Sequence, residues 1–105
     1  MTGKGCEAIV SNGKGQRSVL ITGASRGIGA ETARRFAREG YAVALNYRRS
    51  EAQAMALTEE LRTAGYRVLP LRADVSDPEQ VRKMVDSVLE EFCQLDTLVC
   101  NAGIG

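Results

Sequence analysis

The sequence predicts an α/β fold: a doubly wound parallel sheet in the order 3-2-1-4 that ends after its fourth strand. Three observations lead there. From Ser18 onward, short apolar runs alternate with longer amphipathic segments, as successive βα units require. Glycine stops end the first two helical segments, and N-cap signals open the second and third. Consecutive strands are also separated by a whole helix, a connection that fits parallel pairing with right-handed crossovers.

In chain order, residues 1–17 are rich in Gly, Lys and polar groups and read as a mobile leader, with residues 18–105 as the folded unit. Glycine on both sides of Ala8, Ile9 and Val10 raises the entropy cost of fixing that apolar stretch. Gly-Lys-Gly occurs twice in the leader, yet no Gly-x-x-x-x-Gly-Lys-Ser/Thr can be written through either copy, which argues against a phosphate loop there.

Val19 to Thr22 reads as the first strand, buried and central. Ile28 to Glu39 follows as a helix with Ile28, Ala33, Phe36 and Ala37 toward one face, Arg34, Arg35 and Arg38 outward, and Gly40 as the stop. Tyr41 to Asn46 is a second strand, apolar enough to be covered on both faces. Ser50 and Gln53 have capping-box spacing, and Ala54, Leu57, Leu61 and Ala64 recur at helical intervals until Gly65. Arg67 to Leu71 is the third strand. Asp77 before Pro78, with Gln80 three residues after the cap, marks the third helix strongly. Its stripe of Val81, Met84, Val85, Val88, Leu89 and Phe92 should cover one face of the sheet. Asp96 to Cys100 is the fourth strand.

Composition narrows the function classes. A length of 105 residues suits one small domain, and a net charge of +1 gives no electrostatic reason to expect nucleic acid or a membrane surface as partner. The three cysteines lack Cys-x-x-Cys spacing and no histidine is present, so no metal site is expected; a reducing, cytoplasmic setting is the expectation. No run of 18 apolar residues occurs. With no histidine, acid-base chemistry would fall to carboxylates, Lys or Tyr.

In an open parallel sheet of this order, ligands bind at the carboxyl edge of the strands. Thr22-Gly23-Ala24-Ser25-Arg26-Gly27-Ile28-Gly29 lies at that edge, after an apolar strand and at the opening of a helix, which is the context a dinucleotide-binding turn needs. Gly23 permits the tight turn, Gly27 lets backbone N–H groups approach a pyrophosphate, and Gly29 allows the helix to pack closely. The N-terminal dipole of that helix favours the anion.

The spacing Gly-x-x-x-Gly-x-Gly after Thr22 resembles the turn of the short-chain dehydrogenase/reductase family. Asp74-Val75 after strand three and Asn101-Ala102-Gly103 after strand four match two further motifs of that family in order. The resemblance covers residues 18–105 and implies a Rossmann-type domain. It implies that Gly23, Ser25, Arg26, Gly27, Ile28 and Gly29 meet the cofactor, that Asp74 and Val75 contact the adenine, and that Asn101, Ala102 and Gly103 line the pocket and brace the sheet. Cys100 stands where the family often has another asparagine, and is expected to serve there as a small buried apolar residue.

NAD-selective versions of the fold place an Asp or Glu at the end of strand two. Here that stretch reads Asn46-Tyr47-Arg48-Arg49, and the first acid is Glu51. Arg48 or Arg49, with Arg26 from the turn, would suit a 2′-phosphate, so NADP(H) is expected over NAD(H). Asn46, Tyr47 and Arg48 with Arg26 look most like the 3-oxoacyl-acyl-carrier-protein reductases of fatty acid biosynthesis, whose substrates are β-ketoacyl thioesters, and the resemblance implies that Asn46, Tyr47 and Arg48 bind the cofactor.

The family reacts through a Ser, a Tyr and a Lys four residues after that Tyr. Positions four after Tyr41, Tyr47 and Tyr66 hold Leu45, Glu51 and Pro70, so no catalytic residue is assigned. The expectation is the cofactor-binding part of an oxidoreductase, with a small carbonyl compound as substrate and the oligomer contacts usual in the family lying elsewhere. The alternative is a non-catalytic nucleotide-binding or interaction module.

Overall fold

The structure is a computed structural model that describes residues 16–101; the leader up to residue 15, with Ala102 and Gly103, lies outside the described residues. Seven elements alternate strictly: β1 (Ser18–Ile21), α1 (Gly27–Arg38), β2 (Ala42–Tyr47), α2 (Glu51–Thr63), β3 (Val68–Arg72), α3 (Pro78–Phe92) and β4 (Thr97–Val99). The strands form one parallel sheet in the order β3-β2-β1-β4, as expected. Val19 stands beside Val43 and Thr97, and Leu45 beside Pro70. Pro70 is accommodated because β3 is an edge strand, where a missing N–H leaves no inner ladder broken.

Strand residues alternate between two cores, because successive side chains point to opposite faces. Val19, Ile21, Val43 and Leu45 pack with Ala30, Ala33 and Ala37 of α1 and Leu57 and Leu61 of α2. Leu20, Ala42 and Ala44 pack on the other face with Met84, Val88 and Phe92 of α3. The small residues of α1 let its axis lie close to β1 and β2, which holds the helix N-terminus near the carboxyl edge.

Helix ends follow the sequence signals with instructive exceptions. After α1, Gly40 takes φ +96 while its N–H donates to the Ala37 carbonyl and that of Tyr41 to Phe36. This is a Schellman stop, completed by the edge-to-face contact of Phe36 and Tyr41 with ring centroids 4.8 Å apart. Gly65 repeats it after α2, with Gly65 N–H on Arg62 and Tyr66 N–H on Leu61. Cys93 closes α3 in the left-handed region at φ 69 without a glycine.

At the N-terminus of α2, the expected capping box is not made: Ser50 occupies the cap position with no side-chain cap bond. Asp77 does cap α3, accepting from the Glu79 N–H at 3.0 Å. Gln80 does not close the box on the Asp77 N–H, however. That N–H turns to the Asp74 carbonyl, and Gln80 accepts from the Asp74 N–H at 2.8 Å while donating to Asp77 Oδ2 at 3.0 Å.

Three apolar residues of the helical segments depart from their expected burial. Ile28 is 77% exposed, because it sits two residues, about 200° of helical rotation, from Ala30 on the packed face. Ala64 is exposed as the C-cap of α2, and Leu89 lies at the margin of the α3 stripe. Arg34, read as outward, instead reaches across to α2 and grips Glu60 by two bonds of 2.8 and 3.1 Å, tying the two helices together.

Candidate cofactor groove

The three turns that follow β1, β2 and β3, together with the residue leaving β4, enclose a groove of about 520 Å³ at the carboxyl edge. Nine of the expected site residues line it: Gly23, Ser25, Arg26, Asn46, Tyr47, Arg48, Asp74, Val75 and Asn101. Arg49, Ser50, Ala73 and Ser76 line it as well. Ser50 was read only as a helix cap, Ser76 carried no signal of its own, and Ala73 enters only through its place between β3 and Asp74. Gly27, Ile28 and Gly29 are not among the lining residues.

The glycines differ in what the turn demands of them. Gly23 and Gly27 adopt φ +61 and +62, a conformation that a side chain disfavours. Gly29 needs space instead: a Cβ there would stand 2.3 Å from the Gly23 carbonyl oxygen and 2.9 Å from Ala24 Cα. Its expected role, close packing of the helix against the turn, is what the geometry displays. The N-terminus of α1 has no side-chain cap and no acidic residue in its first turn, whereas α2 and α3 carry Glu51 and Glu79 there. An anion would therefore meet uncompensated positive dipole at α1.

Asn101 braces the turn from the β4 side. Its N–H donates to Thr22 Oγ1 at 2.8 Å and its side-chain amide to the Gly23 carbonyl at 3.2 Å. Cys100, expected to be buried, is exposed: it lies past the last paired residue of β4, at an edge of the sheet where Leu98 is also 55% exposed. Asn46 is nearly fully buried, and both ends of its side chain are engaged with backbone.

Among the described residues, Asp74 is the one carboxylate that lines the groove. It accepts from the Ser76 hydroxyl at 2.7 Å and the Ser76 N–H at 2.9 Å, and faces Arg48 at 3.5 Å. The Ser76 hydroxyl is the largest of the influences that hold its carboxyl below the ordinary aspartate range, with the Ser76 N–H next and smaller contributions from Arg48 and Arg49 working against desolvation. A depressed folded-state value means that these contacts stabilise the fold fully above the unfolded-state value and fade as pH falls through the folded one. A carbon-detected titration should place Asp74 below an ordinary aspartate, and Ser76→Ala should move it back upward. An unmoved value in that variant would reject Ser76 as the cause.

Residues 17–105 match the short chain dehydrogenase family. The chain is 46% identical over 88 residues to the 3-oxoacyl-acyl-carrier-protein reductase of Staphylococcus aureus, an alignment spanning 84% of this chain and 36% of that protein. The chain thus spans about a third of the length of such relatives. Among solved structures, a short-chain dehydrogenase/reductase from Serratia marcescens superposes with a TM-score of 0.82 at 39% identity, covering 86% of this chain and 37% of that one. A short chain dehydrogenase from Burkholderia cenocepacia, solved in complex with NADP, superposes at 0.81 with 45% identity, covering 84% and 36%. The strand order, the glycine turn against α1 and the match over residues 17–105 agree: the chain belongs to the short-chain dehydrogenase family.

Proposed function

We propose that the chain binds NADP(H) in preference to NAD(H) and provides the cofactor-binding part of an oxidoreductase that moves hydride between the nicotinamide and a carbonyl or alcohol. The substrate class on this reading is the 3-oxoacyl thioesters. The observation that carries it is the wall of the groove made by Arg26, Arg48 and Arg49, at a β2 end that offers no carboxylate to ribose hydroxyls. Guanidinium groups supply fork-shaped donors and fixed charge, which match a phosphate better than a hydroxyl pair.

The remaining geometry fits such a ligand. The bare N-terminus of α1 suits a pyrophosphate, and the loop at Asp74 and Val75 offers a surface for the adenine. The nicotinamide, when bound, supplies the hydride; these residues bind and orient it. No Tyr in the sequence is followed by Lys at the fourth position, so proton transfer is not assigned to any of them. The Staphylococcus relative's name supports the thioester class, and the Burkholderia complex supports the cofactor.

Fluorescence titration tests the reading directly. NADPH should saturate the chain with an affinity at least about tenfold above that of NADH, the equivalent of one additional charge-assisted hydrogen bond. Absence of NADPH binding, or equal affinities, would reject it.

A further inference from the structure

Asn46 is a polar residue at the end of a strand whose six residues are all buried, and it is 2% exposed. Its Oδ1 accepts the Gly23 N–H at 3.2 Å. Its Nδ2 donates to the Ala73 carbonyl at 3.1 Å, with the carbonyls of Leu71 and Tyr47 each 3.4 Å away. The main chain on either side repeats the link: the Asn46 carbonyl accepts from the Ala24 N–H at 2.9 Å, and the Tyr47 carbonyl from the Ala73 N–H at 3.0 Å. One side chain therefore spans from the turn after β1 to the turn after β3.

The link requires an acceptor and a donor on one short, planar group. Aspartate, when ionised, has no donor; serine is too short to reach both partners; leucine would leave the Gly23 N–H and the Ala73 carbonyl without this bond. Apolar side chains satisfy the neighbouring β2 positions Val43, Ala44 and Leu45, so burial alone does not call for an amide here.

We infer that Asn46 is a positioning residue that sets the separation between the glycine turn and the loop at Ala73–Asp74, so that the groove recognises a ligand spanning both. The inference rests on the dinucleotide reading above, in which the first segment meets the pyrophosphate and the second the adenosine. A ligand occupying only the adenosine end does not depend on that separation. Asn46 then acts on affinity through Gly23 and Ala73, by pre-organising two contacts that the ligand would otherwise have to bring together.

Asn46→Asp tests it with NADP+ and adenosine, the latter lacking both the pyrophosphate and the 2′-phosphate that Arg26 of the glycine turn would meet. At neutral pH the carboxylate keeps an acceptor for Gly23 but turns a charge on the Ala73, Leu71 and Tyr47 carbonyls, in a groove whose other charged groups among the described residues are Arg26, Arg48, Arg49 and Asp74. When protonated, it regains the donor. Relative to wild type at each pH, which cancels titration of the ligand phosphates, NADP+ should bind about tenfold more weakly at neutral pH and adenosine less than about threefold more weakly. The difference should close in mild acid.

Equal losses for both ligands, or none, overturn the inference, since a merely structural asparagine would lower the folded fraction for both alike. If circular dichroism shows the aspartate variant unfolded at neutral pH, Asn46→Ser is read instead with the same two ligands and the same criterion. A wild-type chain that binds neither ligand overturns the cofactor reading, and this inference with it. Wild-type binding with proportionate losses overturns the inference alone.

Discussion

Replacing Gly29 by alanine is expected to lower the melting temperature of the chain by about 10–20 °C, whereas Gly27→Ala lowers it by less than about 8 °C. Both glycines open α1, and helix propensity alone would favour alanine at each by up to ~1 kcal/mol. The two positions fail for different reasons. At Gly27 the obstacle is conformational: φ is +62 but no atom lies within 4 Å of an added Cβ, so the penalty is the ~1–2 kcal/mol of a left-handed residue.

At Gly29 the obstacle is contact with parts that do not yield. The added carbon would lie 2.3 Å from the Gly23 carbonyl oxygen, 2.9 Å from Ala24 Cα and 2.7 Å from the Asn101 amide nitrogen. Two of these are backbone, and the third is the group that bonds the same carbonyl. Relief requires α1 to lift from β1 and opens the Asn101 brace, an overpacking penalty of ~3 kcal/mol or more in a domain whose net stability is of order 5–15 kcal/mol. Thermal melts of both variants by circular dichroism check this. A Gly29→Ala chain that melts within a few degrees of wild type would show that the helix and turn are less tightly apposed than the structure has them.

Why the fold was readable while parts of the site were not follows from the range of the forces involved. Strand order depends on pattern and crossover length, both local in sequence, and so 3-2-1-4 could be written down with element ends displaced by a residue or so. The stops at Gly40 and Gly65 are likewise local, because a left-handed C′ residue is needed whatever lies around it. What failed depends on three-dimensional placement that spacing along the chain does not fix. Gln80 has the spacing of a capping box, but the Asp74 N–H, six residues earlier, competes for it and wins. Cys100 belongs to an apolar stretch, but its burial depends on what flanks an edge strand. Ile28 continues an apolar run, yet helical rotation from Ala30 turns it to solvent. In the groove, the glycine turn and Asp74 were visible as motifs. Asn46 was expected at the site from its place at the end of strand two, but its link was not, since nothing in its neighbours announces that both ends of its amide are taken by Gly23 and Ala73.

Arg48→Ala and Arg26→Ala should each weaken NADP(H) by about tenfold or more while altering NAD(H) by less than about threefold, with Arg48 the larger of the two. Both cofactors share the adenine, ribose and pyrophosphate; they differ only in the 2′-phosphate, which carries most of its second negative charge at neutral pH. A guanidinium bonded to phosphate contributes more than a neutral donor, but Arg48 is 59% exposed, so screening by water and salt keeps the effect below that of a buried pair. Arg48 has a second task. It stands 3.5 Å from the Asp74 carboxylate, which lines the same groove and would repel a phosphate once that partner is gone. The Arg26 variant leaves that pair intact. Arg48→Lys should recover part of the loss, because a point charge still offsets Asp74 while the fork that reaches the phosphate is missing. Raising the salt concentration should compress the NADP(H) preference expected of wild type toward that of the alanine variants, since salt screens the attraction between exposed charges and phosphate. Isothermal titration with both cofactors at two ionic strengths reads all of these together. Equal losses for NADP(H) and NAD(H) would place the arginines on the shared pyrophosphate, and would remove the physical basis for a 2′-phosphate site at the end of β2.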